Sequence, residues 1–246
     1  GRTKEVCAQL TDAKRLRAAR VHPVNVLVAQ RTYASGTSYR GTTEWTPTTK
    51  VTDALDAAFY AAFGAVEPSG KRTMLALDVS SSMHWSISGM GITAREASAA
   101  LALVQLATEP EAVAYGFSDV GRWGDSALTQ LDISPRRRLD DALAAVDAMG
   151  FGGTDCALPM LYAIKQKLKV ETFVVYTDNE TWAGKVHPYQ ALQRYRERSG
   201  IDARLIVVGM TSTGFSIADP DDPGMLDVVG FDAAVPNLIS EFARGL

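Results

Sequence analysis

The sequence predicts an α/β fold, a mostly parallel central sheet with helices on both faces, preceded by a short helical segment. Three observations point to it. From Thr73 onward short apolar runs alternate with longer helical stretches, the rhythm of parallel strands joined by crossover helices. Runs such as Phe173-Val174-Val175-Tyr176 are apolar without a break, as strands covered on both sides must be. Two of these runs lead straight into a carboxylate, Asp78 and Asp178.

The elements follow in order. Thr11-Asp12 offers an N-cap before Ala13 to Ala19, and Val24 to Ala29 continues an apolar stripe. Ser35-Gly36-Thr37-Ser38 reads as a loop that runs on through Arg40-Gly41. A helix follows, with Thr52-Asp53 as its cap and Leu55, Ala58, Phe59 and Phe63 at helical spacing. Glu67-Pro68-Ser69-Gly70 breaks the pattern and divides the chain into a helical segment, 1–70, and an α/β domain, 71–246. Strands are predicted at Thr73 to Asp78, Glu111 to Phe117, Glu171 to Thr177 and Ala203 to Gly209. Helices are predicted at Thr93 to Thr108, Arg138 to Met149, Ala157 to Leu168, Pro188 to Arg198 and Pro236 to Arg244.

Composition narrows the class. With 246 residues, 46% apolar and 22% charged, the chain can bury a substantial core without staples. No apolar run reaches the roughly 18 to 20 residues of a membrane span. The opening Gly1-Arg2-Thr3-Lys4-Glu5 has neither the apolar stretch of a signal peptide nor an initiator methionine, so a piece of a longer protein is expected. Cys7 and Cys156 lie far apart, form no metal or redox spacing, and read as free thiols of a cytoplasmic protein. The net charge of −3 is uneven: residues 1–72 carry eleven Lys/Arg against six Asp/Glu, and residues 73–246 carry fourteen against twenty-two. A basic leader of +5 thus precedes an acidic domain of −8. Such a leader suits a polyanion or, more blandly, a solvated helix face.

Ligands of open α/β sheets bind beyond the carboxyl ends of the strands. Three oxygen-rich loops belong there. Asp78-Val79-Ser80-Ser81-Ser82 follows the first strand, and its alternation turns Asp78, Ser80 and Ser82 to one side. Gly152-Gly153-Thr154-Asp155 supplies Thr154 on a glycine-freed turn, and Thr177-Asp178-Asn179-Glu180 supplies Asp178. Two carboxylates and three hydroxyls, with no imidazole or thiolate, suit Mg²⁺, Mn²⁺ or Ca²⁺, with Mg²⁺ the first choice, and not zinc or copper. Alone, each loop would read as a helix cap with filler. The three in this order predict a metal site.

Asp78-Val79-Ser80-Ser81-Ser82-Met83 resembles the adhesion motif of von Willebrand factor A domains, whose sheet is Rossmann-like. Four further stretches resemble the Ro autoantigen family, the TROVE-domain ribonucleoproteins, and its bacterial members most of all. They are Gly153-Thr154-Asp155-Cys156-Ala157-Leu158-Pro159-Met160, Thr177-Asp178-Asn179-Glu180-Thr181, Gly209-Met210-Thr211-Ser212 and Ile217-Ala218-Asp219-Pro220-Asp221-Asp222. Arg20-Val21-His22-Pro23 and Ala57-Ala58-Phe59-Tyr60 resemble the family's last helical segments. The resemblance implies binding of small non-coding Y RNAs, a part in RNA quality control, and cooperation with an exoribonuclease. It also implies a cation shell left open to water or a partner's carboxylate. The family carries a large helical ring ahead of its A domain, and here only the tail of that ring is present.

Other residues argue less. His22, His84 and His187 share no ligand spacing, and His22 and His187 precede prolines, which suggests turns. No G-x-S-x-G elbow surrounds the serines, and Gly89-Met90-Gly91 lacks the rest of a dinucleotide fingerprint. Arg136-Arg137-Arg138 reads as a solvated turn, Trp182 as a rim residue of the metal site, and Asp219-Pro220-Asp221-Asp222 as a plain acidic loop. The expected function is a non-catalytic, cation-binding module of an RNA-binding protein, with no membrane or DNA partner. Lys14, Arg15, Arg17, Arg20, Arg31 and Arg40 are its candidate RNA contacts. The rival is a metal-assisted phosphoesterase, disfavoured because no general base stands beside the site.

Overall fold

The computed structural model describes residues 2–38, 41–87, 90–118, 128–134, 139–149, 153–178, 184–211 and 217–246. Four helices open the chain: α1 (Thr3–Leu10), α2 (Ala13–Ala18), α3 (Pro23–Ser35) and α4 (Thr49–Ala61). Asp12 caps α2 by accepting the N–H groups of Lys14 and Arg15, 3.0 and 3.1 Å away. Instead of marking a turn, His22 is the N-cap of α3; its Nδ1 accepts the N–H of Val24, and Pro23 fills the first helical position. The cap expected at Thr52-Asp53 lies inside α4, which starts a turn earlier, behind Thr48. The cause is tertiary, because the N–H of Thr48 donates to the Tyr33 hydroxyl at 3.2 Å and fixes where the helix begins.

Six strands form one sheet in the order β3-β2-β1-β4-β5-β6. They are β1 (Thr73–Asp78), β2 (Ala112–Phe117), β3 (Leu128–Gln130), β4 (Thr172–Thr177), β5 (Arg204–Gly209) and β6 (Met225–Val229). All neighbours run parallel except β2 and β3. The two edge strands were not foreseen. Only three residues long, β3 carries no readable period, and β6 is interrupted by Asp227, whose carboxylate accepts the N–H of Ala218.

Five further helices cover the sheet: α5 (Ala94–Thr108), α6 (Leu139–Asp147), α7 (Leu158–Gln166), α8 (Pro188–Ser199) and α9 (Val235–Arg244). Alternation along β1 sorts its side chains between two cores. Leu75 and Leu77 pack with Leu101 and Leu103 of α5, Val146 of α6 and Ile239 of α9. Met74 and Ala76 face Met160 of α7 and Leu192 and Tyr195 of α8. Among the described residues no helix is long and apolar enough to cross a membrane.

A helix lying on a sheet normally keeps one polar face, yet α5 is buried from Ala94 to Gln105 at every position but Glu96. The opening helices supply the missing cover. Leu27, Phe59 and Phe63 belong to the same apolar cluster as Leu101 and Leu103. Arg31 bridges to Glu96 of α5 at 3.2 Å and to Asp140 of α6 at 3.1 Å, and the N–H of Leu139 donates to the Tyr60 hydroxyl at 2.7 Å.

A shared core implies shared unfolding. Phe59→Ala, at a side chain 3% exposed, should cost about 3–5 kcal/mol and lower the denaturation midpoint of the whole chain in a single transition. Two separated transitions, only the first displaced, would show that the opening helices fold apart from the sheet.

Candidate metal centre at the carboxyl ends of the central strands

Strands β1 and β4 are neighbours at the centre of the sheet, where the strand order reverses direction, the place at which open α/β sheets bind ligands. Asp78 closes β1 and Asp178 follows β4, so pairing alone sets the two carboxylates side by side. The Asp78 carboxylate is 1% exposed. Its Oδ1 accepts the N–H of Ser80 at 2.8 Å, the closure expected of an aspartate two residues ahead in a tight turn. Its Oδ2 accepts the hydroxyls of Thr177 at 2.8 Å and Thr154 at 3.4 Å. The hydroxyls of Ser80 and Ser82 lie 3.0 Å apart, Ser80 capping and Ser82 within a single 3₁₀ turn, Ser81–His84.

Asp78, Ser80, Ser82 and Thr154 are thereby gathered into one hydrogen-bonded group from two loops. Asp178 joins them electrostatically: its charge helps to raise the Asp78 pKa, and its own Oδ1 is buried with no hydrogen-bond partner. Burial is the main cause of that shift, opposed by the bonds from Ser80 and Thr177, and it leaves the Asp78 carboxyl pushed up to about 6. Two buried, neighbouring carboxylates, one of them with an orphaned oxygen, form an electrostatically incomplete arrangement. A hard divalent cation would complete it. Among the described residues no three His, Cys, Asp or Glu side chains converge, so hydroxyls make up much of the donor set.

Three participants were not singled out from the sequence. Thr177, fully buried, gives Asp78 its shortest side-chain hydrogen bond; a hydroxyl at a strand end beside an aspartate was its only signal. Arg95, 3% exposed on α5, donates to the carbonyls of Val79 and Ser80 at 2.9 and 3.0 Å and pairs with Asp147, holding the loop's backbone from behind. Nothing local marks an arginine in an Ala/Leu-rich helix for that task. Asp155 is a structural neighbour: its Oδ1 accepts the N–H of Ala157, and a Cβ at Gly184 would come within 2.4 Å of its carboxylate. With φ +91, Gly184 permits both the turn and the close approach.

Some expectations fall elsewhere. Trp182, Asn179, Glu180, Gly152 and the Arg136-Arg137-Arg138 turn lie outside the described residues. Asp222 pairs with Arg196 and accepts the N–H of Gly224, and Asp219 accepts the N–H of Asp221, so the acidic loop is stitched into its own turns. His187 is the N-cap of α8 ahead of Pro188, again a helix start in place of the expected turn.

A family model described as the Ro60 vWA domain matches residues 72–243. A Deinococcus radiodurans protein named RNA-binding protein RO60 is 50% identical over 242 residues, which cover 98% of this chain and 44% of that protein. Its Caenorhabditis elegans namesake is 43% identical over 245 residues, covering 99% of this chain and 37% of that protein. The crystal structure of the Deinococcus radiodurans RO (RSR) protein superposes with a TM-score of 0.89 at 48% identity, over 98% of this chain and 48% of the other. This chain therefore spans less than half the length of these relatives.

The raised pKa fixes the sign of a pH effect. In metal-free protein, Asp78 binds its proton more tightly folded, at about 6, than unfolded, at 3.8. Its favourable contribution is complete below the unfolded value and is lost as pH rises through about 6, a difference of about 3 kcal/mol. In chelator, Asp78→Asn should therefore melt higher than the parent at pH 7.5, and the advantage should vanish near pH 4. Equal midpoints at pH 7.5 would refute the burial of a charged Asp78.

Proposed function

We propose a function for this chain on the footing that it belongs to the Ro60 family, whose von Willebrand factor A domain it carries across residues 72–243. The domain is a non-catalytic divalent-cation module of an RNA-binding protein. Asp78, Ser80, Ser82, Thr154 and Asp178 hold the cation, and Mg²⁺ suits their all-oxygen chemistry best. The observation that carries this reading is the buried, unpartnered Oδ1 of Asp178 beside the desolvated Asp78. When bound, the cation supplies an electrophilic position for an oxygen ligand, water or a partner's carboxylate. The residues of the chain do the rest. Thr177 and the Ser80 N–H orient Asp78, and Arg95 keeps the Val79-Ser80 backbone in place.

The curated relatives are named RNA-binding proteins, and RNA is the partner proposed for the intact protein here. Small Y RNAs, RNA quality control in the cytoplasm and cooperation with an exoribonuclease are the finer form of the same reading. The acidic A domain disfavours phosphates as a whole, so the opening helices are the better candidates. Lys14, Arg15, Arg17 and Arg20 are exposed there. Arg31, expected to join them, is engaged with Glu96 and Asp140, and Arg40 lies outside the described residues.

Two measurements test this. Mg²⁺ at about a hundred times its Kd should stabilise the chain by about 2.7 kcal/mol, a rise of about 5–10 °C in Tm, and Asp178→Ala should abolish the rise. An equal rise in parent and variant would remove the cation from these residues. Labelled RNA incubated with the chain and Mg²⁺ should keep its length; shortening that requires Asp178 would replace the binding module with a phosphoesterase.

RNA affinity of this chain should be weak, should fall steeply with salt, and should drop when Lys14, Arg15, Arg17 and Arg20 are replaced by alanine. Asp178→Ala should leave it unchanged. Tight, salt-insensitive binding that depends on Asp178 would overturn the division between the two regions.

A further inference from the structure

A cavity of about 710 Å³ opens at the end of the sheet opposite the metal centre. It lies where β1, β4 and β5 begin and where α7 and α8 end. One six-residue strand separates the two ends, about 20 Å. Its volume is in the range, about 300–1,000 Å³, that holds a drug-sized ligand. Ile164, Leu168 and Ile201 give it an aliphatic floor, and Arg72, Lys167, Lys169 and Arg198 ring it with positive charge. Three of these four cations belong to residues 73–246, whose net charge is −8.

Carboxylates of the chain neutralise only part of this charge. Arg72 is engaged, its NH1 3.3 Å from Glu171 and its Nε donating to the carbonyl of Lys169 at 2.7 Å. Lys167, Lys169 and Arg198 make no ion pair among the described residues. Two helix C-termini point here, together worth about one negative charge, which is less than the three unpaired cations. Lys165 already serves the last turn of α7.

The backbone adds an independent sign. Helices α3, α8 and α9 all end on a left-handed residue, and in each it is glycine: Gly36, Gly200 and Gly245. The same position after α7 is Lys167, at φ +56. A side chain there carries a modest backbone cost that glycine would avoid, a cost that Arg20 after α2 bears as well. The segment that carries it is also anchored. The Tyr195 hydroxyl accepts the N–H of Val170 at 2.6 Å and reaches the Leu168 carbonyl at 2.8 Å, fixing the backbone between the two lysines' neighbours.

We propose that this cavity binds a nucleoside monophosphate unit, its phosphate held by Lys167, Lys169 and Arg198 and its base laid on the aliphatic floor. Charge selects the phosphate, and the apolar floor selects a planar ring above inorganic phosphate. The unit is either a free nucleotide or the phosphorylated end of an RNA strand. The site is independent of the metal centre.

Calorimetric titration of the whole chain tests it, with UMP and AMP, uridine, inorganic phosphate, a pentanucleotide bearing a terminal phosphate, and hexaglutamate as probes. The nucleotides should bind saturably, and uridine and inorganic phosphate each at least about tenfold more weakly. A pentanucleotide that binds much more tightly than UMP identifies the strand end as the ligand; equal affinities identify the free nucleotide. Lys167→Gly should weaken binding about tenfold while raising Tm, so that the loss cannot be ascribed to unfolding. Lys169→Glu with Arg198→Glu should abolish it, and Asp178→Ala should leave it intact. The proposal fails if neither nucleotide nor pentanucleotide saturates, if Lys167→Gly binds as well as the parent, or if hexaglutamate binds in their place.

Discussion

A carboxylate with almost no access to water sits at the seam between the two central strands, and much of the domain is arranged around it. Burial alone would drive Asp78 to hold its proton, and the neighbouring Asp178 pushes the same way. The Ser80 N–H and the Thr177 hydroxyl resist that pressure. Both are available only because β1 turns sharply after Asp78 and because β4 runs parallel beside it, placing Thr177 within reach. Parallel pairing, the Ser80 turn and the Thr154 loop are therefore linked through one side chain. Loss of any of them would leave a buried charge with fewer donors, which is a heavier penalty than the loss of one hydrogen bond.

The opening helices are tied to that site through two consecutive residues of α5. Glu96 completes the capping box with Thr93 and accepts the Arg31 bridge from α3. Arg95, on the preceding position, points the other way and grips the carbonyls of Val79 and Ser80. Successive helical residues lie about 100° apart, so one turn of α5 touches both the cover and the loop that follows Asp78. A helix apolar nearly all round needs cover on both sides, and the opening helices give it. The basic segment and the acidic domain pack against each other in this chain.

How much could be read in advance depended on how local the cause was. That Asp78, Ser80, Ser82 and Thr154 would meet, with Asp178 beside them, was legible because strand ends and a turn are short-range features. Thr177 and Arg95 were not, since each acts on a group distant in sequence, Asp78 from 99 residues away and Ser80 from 15. The start of α4 was misplaced for the same reason: Tyr33 fixes Thr48 across a fold of the chain. Edge strands are weakly coded because only one neighbour and one core constrain them, and the Asp227 side chain, turned to the Ala218 N–H, conceals β6. Arg31 looked like a phosphate contact by composition alone. Its two carboxylate partners are visible only when α3 is packed on α5 and α6.

The polarity of a parallel sheet has a consequence for charge that neither end shows by itself. Every crossover helix that packs on it points its positive end towards the carboxyl edge and its negative end towards the amino edge. The side chains oppose that field at both edges: Asp78 and Asp178 meet at the carboxyl edge, and Lys167, Lys169 and Arg198 line the cavity at the amino edge. At the carboxyl edge the excess exceeds what helix ends can balance, because two carboxylates are buried together and one oxygen has no partner. At the amino edge three cations outnumber the opposing helix ends and one of them occupies a strained backbone position. Compensation of dipoles would have stopped at neutrality on each side. Overshoot in opposite senses at the two edges is what charged ligands of opposite sign, a cation above and a phosphate below, would require.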